Sequence, residues 1–113
     1  MKIVNKKEFY LLPPGTLYSN YERYGFTGLM VKQDTLYHKD KPIDFLFDDL
    51  IGNIDAQDSG QFIDKLDDAE INKTSLTLDF DCTQRDGLYE DEQMFAIYEK
   101  DDLKKIIKKL VEL

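Results

Sequence analysis

Apolar residues recur at helical spacing late in the chain, where Leu103, Ile106, Ile107 and Leu110 form one stripe and Lys104, Lys105, Lys108 and Lys109 cover the other side. Asp101 at the start and lysines toward the finish suit the helix dipole, so the spacing predicts an amphipathic helix that packs by its stripe. Ser59 can cap a second such helix, in which Phe62, Ile63, Leu66 and Ala69 or Glu70 follow at the same intervals. Elsewhere alternation replaces this period. Leu76, Leu78 and Phe80 alternate with Thr77 and Asp79, the pattern of a strand with one face buried. Residues 16–21 read as a strand by β-prone composition more than by period, residues 26–31 as a second strand, and the short link 22–25 between them suggests a hairpin. Residues 43–51 read as a strand with Ile43, Phe45 and Phe47 on one face, a short helix being the alternative, and residues 93–98 read as the last strand. The polar stretches 33–42 and 52–59 read as exposed connections.

Local punctuation sharpens this outline. Asn5, with Glu8 three residues on, predicts a capping box over a turn at residues 6–11. Pro13 and Pro14 must end that turn, because neither has an N–H and each restricts the residue before it. Asp86-Gly87 marks another turn. The pattern as a whole predicts one α+β domain over residues 1–113: a small, mostly antiparallel sheet packed by two amphipathic helices.

Composition adds bounds. A 42% hydrophobic fraction with seven Phe and seven Tyr argues against disorder. The single Cys cannot form an internal disulfide and fits a reducing compartment. No apolar leader opens the chain and no run approaches 18 apolar residues, so a soluble, cytoplasmic, non-membrane protein is expected. The match of Asn72-Lys73-Thr74 to a glycosylation pattern is read as chance. A net charge of −8 disfavours direct nucleic-acid binding, which needs local cations.

No motif specifies a reaction. His38 reads as a loop residue and Cys82 as a buried or half-buried small side chain, and together they make neither a zinc set nor a nucleophilic pair with an orienting third group. The glycines are scattered without phosphate-loop or dinucleotide spacing, and no serine sits in a nucleophile elbow. A calcium loop starting at Asp79 fails where Thr83 and Gln84 stand. No catalytic residue, metal ligand or cofactor is therefore assigned. What remains is a binding surface. Asp79, Asp81, Asp86, Glu90, Asp91 and Glu92 are the candidate acidic contacts, and Tyr18, Tyr21 and Tyr24 the candidate aromatic anchors. Carboxylates steer encounter and orientation, whereas desolvated rings supply more of the affinity. The same residues also suit solvated loops and ordinary sheet packing. A carboxylate-held divalent ion, with Asp48, Asp49, Asp55 and Asp58 as a second concentration, is the enzymatic alternative: a small hydrolase or phosphoryl-transfer enzyme. Self-association as a homo-oligomer with a structural role is the third.

The segment Leu12-Pro13-Pro14-Gly15-Thr16-Leu17-Tyr18-Ser19-Asn20-Tyr21 resembles small proteins encoded by bacteriophages and prophages. So do Arg85-Asp86-Gly87-Leu88-Tyr89 and the stretch from Phe95 to Leu103. The resemblance spans most of the chain and carries no catalytic signature. It implies a bacterial host cell and a small accessory protein that acts on host or phage proteins. By analogy with acidic phage proteins that occupy basic surfaces, the expected function is non-enzymatic protein binding, as a modulator or inhibitor of host defence or of nucleic-acid-processing machinery.

Overall fold

Asn5 ends one strand and starts one helical turn. Its Oδ1 accepts the Glu8 N–H at 2.9 Å while Glu8 Oε1 accepts the Asn5 N–H at 3.3 Å, the reciprocal cap that the spacing predicts. In the computed structural model, which describes residues 1–113, β1 (Lys2–Asn5) passes through this cap into α1 (Lys6–Tyr10). The Leu11 and Leu12 N–H groups close the turn on Glu8 and Phe9 carbonyls, before the two prolines. Gly15 then turns the chain at φ 90°, a left-handed conformation that a side chain would strain.

β2 (Thr16–Glu22), β3 (Gly25–His38) and β4 (Lys41–Asp49) form an antiparallel meander. β5 (Thr83–Arg85) adds to its β4 side, and β6 (Met94–Ile97) returns to insert between β1 and β2. The six-stranded order is β1-β6-β2-β3-β4-β5, and every neighbouring pair is antiparallel. With three helices this is the expected α+β class.

The stretch 33–42 is not a loop. β3 continues to His38, and a two-residue turn at Lys39 and Asp40 leads into β4, with Thr35 opposite Phe45 and Leu36 opposite Asp44. Both turn residues have positive φ (50° and 63°), as the right-handed twist of a tight hairpin requires. Lys-Asp lacks the Asn-Gly signal that usually announces this turn, and strands without a covering layer carry polar side chains. Together these disguised the hairpin as a connection.

The core sits where α1 crosses the middle of the sheet. Phe9 is fully buried, stacked on Phe95 at 3.9 Å between ring centres and edge-on to Tyr18 and Phe45 at 4.8 Å each. Val4, Met30 and Ile97 complete the cluster, with Tyr10, Leu12 and Phe47 packed around it. One helical turn thus inserts a single ring that touches strands from both halves of the sheet. Offset and edge-on ring pairs add to simple area burial.

Three charged side chains are buried beside this core, Lys6, Lys32 and Asp44, and the two deepest, Lys32 and Asp44, are fully satisfied within the chain. Lys32 Nζ donates to the Leu12 carbonyl at 2.9 Å, the Gln33 carbonyl at 3.0 Å and Thr35 Oγ1 at 2.9 Å, which uses all three of its protons. Desolvation lowers its pKa. Asp44 accepts from the Phe45 N–H at 2.9 Å, the Gly87 N–H at 3.1 Å and Arg85 Nε at 2.9 Å. Burial alone would raise its pKa, but those donors outweigh it and hold the carboxyl below its ordinary range.

The two longer helices depart from expectation. α2 (Ser59–Asn72) and α3 (Lys100–Val111) bury no residue, so the sheet is packed by α1 and not by two amphipathic helices. The α2 cap is Asp58, whose Oδ1 accepts the Gln61 N–H at 2.7 Å, and not Ser59. Leu76, Leu78 and Phe80 do not form a strand. Their segment makes one isolated bridge, Ile54 to Leu78, and all three side chains are exposed. Alternation names a face to be buried, but only a covering layer buries it, and none lies here. Residues 50–82 therefore form an arm that leaves β4 and re-enters at β5.

Candidate functional site

Asp44 shapes the surface as well as the core. By holding the Arg85 guanidinium and the Gly87 N–H, it fixes the start of the segment that joins β5 to β6. Gly87 has φ 67°, so the turn that the Asp-Gly pair predicts is present. Arg85 Nη2 then donates to Tyr89 Oη at 2.9 Å, and the Lys6 ammonium donates to the Glu90 carbonyl at 3.0 Å. Gln93 Nε2 reaches back to Asp86 Oδ2 at 3.2 Å. Gly87, Tyr89 and Glu90 are thereby tied to the body, and Gln93 to Asp86 within the loop, so the loop is held as a wall.

That wall faces the β2–β3 hairpin across an open cleft of about 390 Å³. Pairing of Tyr21 with Met94 and of Asn20 with Phe95 sets the floor. Glu22 lines one side, Glu90 and Glu92 the other, with Tyr21, Leu88 and Met94 as its apolar surface. No Lys, Arg or His lines it. Tyr21 is half-buried and rests against Phe26 at 5.5 Å between ring centres, so its ring is held in place. The Gln93 side-chain oxygen, at the same cleft, is a buried acceptor with no donor. The cleft thus presents carboxylates over a small apolar base. That chemistry suits a cationic donor with an aliphatic stem, such as a lysine or arginine side chain.

Of the residues singled out from sequence, the structure brings Tyr21, Glu90 and Glu92 into this cleft. It sets the others elsewhere. Tyr18 is 1% exposed, a member of the aromatic core, and cannot touch a partner. Burial raises its phenol pKa, as expected for a hydroxyl kept from water. Tyr24 is 87% exposed at the tip of the β2–β3 turn, with the Arg23 guanidinium 5.6 Å from its ring. Asp91 borders a separate small cavity with Lys6, Lys7, Tyr10 and Pro42. Asp86 is occupied by Gln93 behind the wall. Asp79 and Asp81 lie on the arm, where Asp79 Oδ1 accepts the Asp81 N–H at 2.9 Å. The six acids therefore do not form one face.

Glu22, Leu88 and Met94 were missed. Nothing in the sequence announces that β6 returns beside β2, and that pairing alone brings the three together. The isolated candidates also resolve. Cys82 is exposed, contrary to its expected burial, because the arm has no covering layer. His38 is exposed at the end of β3 and not in a loop. Nowhere do three or more His, Cys, Asp or Glu side chains converge as metal ligands. Asp48 is spent on Gln33 and Thr83, which donate to its two oxygens at 2.7 and 2.6 Å. No helix is long and apolar enough to cross a membrane. No protein-family model, curated protein or solved structure matches this chain.

Proposed function

We propose that this chain is a non-enzymatic protein-binding accessory protein whose acidic cleft engages a basic segment of a partner protein. The observation that carries the reading is the cleft itself: Glu22, Glu90 and Glu92 around Tyr21, with no cation among the lining residues. Three uncompensated carboxylates at one opening raise the encounter rate with a basic surface, and Tyr21 with Leu88 and Met94 offers the apolar area that holds it. The chain's net charge of −8 acts in the same sense over longer range. The rigid wall lowers the ordering cost of binding, because the loop is pinned before the partner arrives.

The setting follows from the resemblance to phage- and prophage-encoded proteins. The partner is a host or phage protein in the bacterial cytoplasm, of the defence or nucleic-acid-processing kind, whose basic surface would otherwise hold nucleic acid. The divalent-ion hydrolase reading gains nothing from the fold, where no three carboxylates stand close enough to ligate one ion. The test is affinity capture from bacterial lysate, with EDTA and with salt raised to about 0.5 M, where screening shortens electrostatic reach to a few ångströms. A partner kept in EDTA, weakened by salt and lost from the Glu22→Gln, Glu90→Gln, Glu92→Gln variant is expected. A partner held equally by that variant would sink the reading.

A further inference from the structure

The chain exposes 8388 Å². A monomer of 13.3 kDa is expected to expose about 6,500 Å², so the excess is about 1,900 Å². Its Cα radius of gyration, 16.1 Å, also exceeds the roughly 13 Å expected for this length. The excess lies within the 1,000–2,500 Å² or so that each partner gives up in a permanent homodimer.

Two features carry much of it. On α3, Ile107, Leu110 and Val111 are exposed, and five lysines stand against two aspartates along the helix. None of Lys104, Lys105, Lys108 and Lys109 forms an ion pair. On the arm, Ile63, Ile71, Leu78 and Phe80 are exposed, and residues 50–82 hold eight acids against two lysines. On α3 the apolar stripe is flanked by Lys104 and Lys108, while the arm carries apolar side chains among acids. Within one chain the two surfaces are apart, since α3 follows β6 near one edge of the sheet while the arm joins β4 to β5 at the other. Three to four strand spacings separate their roots, roughly 14–19 Å.

We infer that the partner of each is a second copy of this chain: α3 of one copy seats on the arm of the other, and a two-fold axis makes the contact twice. Such an interface is self-complementary, closes at two subunits and leaves no unpaired basic helix. Charge fixes which surfaces meet, and the apolar side chains supply the burial. This dimer is independent of the acidic cleft, none of whose lining residues belongs to α3 or the arm.

The test is sedimentation equilibrium of the chain at about 100 µM, a concentration that populates micromolar dimers. A mass twice 13.3 kDa is expected. The Ile107→Asp, Leu110→Asp variant, altered only at exposed positions, should keep its circular dichroism and raise the dimer Kd by at least about tenfold. Lys104→Glu with Lys108→Glu should weaken self-association in one variant, and Asp64→Lys with Asp67→Lys in another. Mixing these two should restore a dimer, because one contact is then native and the other doubly reversed. A monomeric wild type, a dimer indifferent to Ile107→Asp with Leu110→Asp, or a mixture that stays monomeric would each overturn the inference.

Discussion

Phe9→Ala should be the most damaging conservative change in this chain. Only 12 of 113 residues are buried, so the core has little redundancy and Phe9 is at its centre. The substitution removes a ring stacked at 3.9 Å on Phe95 and edge-on at 4.8 Å to Tyr18 and Phe45. Phe-to-Ala changes in cores cost about 3–5 kcal/mol, transfer and cavity terms together. Here the upper part of that range is expected, because three rings lose a neighbour and a rigid sheet cannot collapse into the space. A chain of this length loses about 0.24 kcal/mol of stability per degree of warming near its midpoint, so a cost of about 4–5 kcal/mol should lower the Tm by about 17–21 °C. Thermal and urea unfolding followed by far-ultraviolet circular dichroism measures this, and the urea m-value should stay the same. Phe9→Leu keeps most of the volume and should cost less than half as much. The control is Leu11→Ala, at a position 80% exposed just after α1, which should fall within about 0.5 kcal/mol of wild type. If Phe9→Ala were no worse than that control, the core under α1 would be wrongly described.

Asp44→Asn should destabilise the fold by about 2–3 kcal/mol at neutral pH, since it strips a charge-assisted acceptor from Arg85, Phe45 and Gly87. The folded carboxyl titrates below its unfolded value of about 3.9, so its contribution is present above that pH and is lost as pH falls through the lower folded pKa. Denaturant titrations between about pH 2 and 5 should show a shallower slope in the Asn variant, and an unchanged slope would refute the role. Asp40→Gly in the β3–β4 turn should raise stability by about 0.5–1 kcal/mol, because glycine takes the 63° φ without strain; a lower Tm would contradict that turn geometry. Cys82 should react fully with a thiol reagent in the native protein, whereas a thiol labelled only after denaturant is added would place it in a core.

The residues that declared themselves in the sequence did so through local chemistry. Asn5 and Glu8 cap one turn whatever surrounds them, and Asp86-Gly87 needs only its own backbone to turn. Strand 16–21 was legible from β-prone composition and strand 43–51 from alternation, with boundaries off by a residue or two. Periodicity failed where it assumed a partner. Leu76, Leu78 and Phe80 have the alternation of a strand, and α3 the stripe of a packed helix, yet this chain supplies no layer to cover either. The extended β3–β4 hairpin failed the opposite way, since its polar strands and Lys-Asp turn imitate a loop. The cleft was half legible. Clustering in sequence picked out Tyr21, Glu90 and Glu92, but Glu22 joins them only through the β2–β6 pairing, a contact across more than 70 residues that no local pattern encodes. Tyr18 shows the same limit, because neighbouring tyrosines of a strand point to opposite faces and only the fold says which is the core.

A basic partner is expected to seat in the cleft between the β2–β3 hairpin and the wall before β6. Amide hydrogen exchange of the chain, alone and with its captured partner, tests it most directly. The account predicts added protection confined to residues 20–27 and 88–94, abolished when Glu22, Glu90 and Glu92 are changed to Gln. Protection that falls instead on the arm or α3, or that survives those three changes, would contradict it.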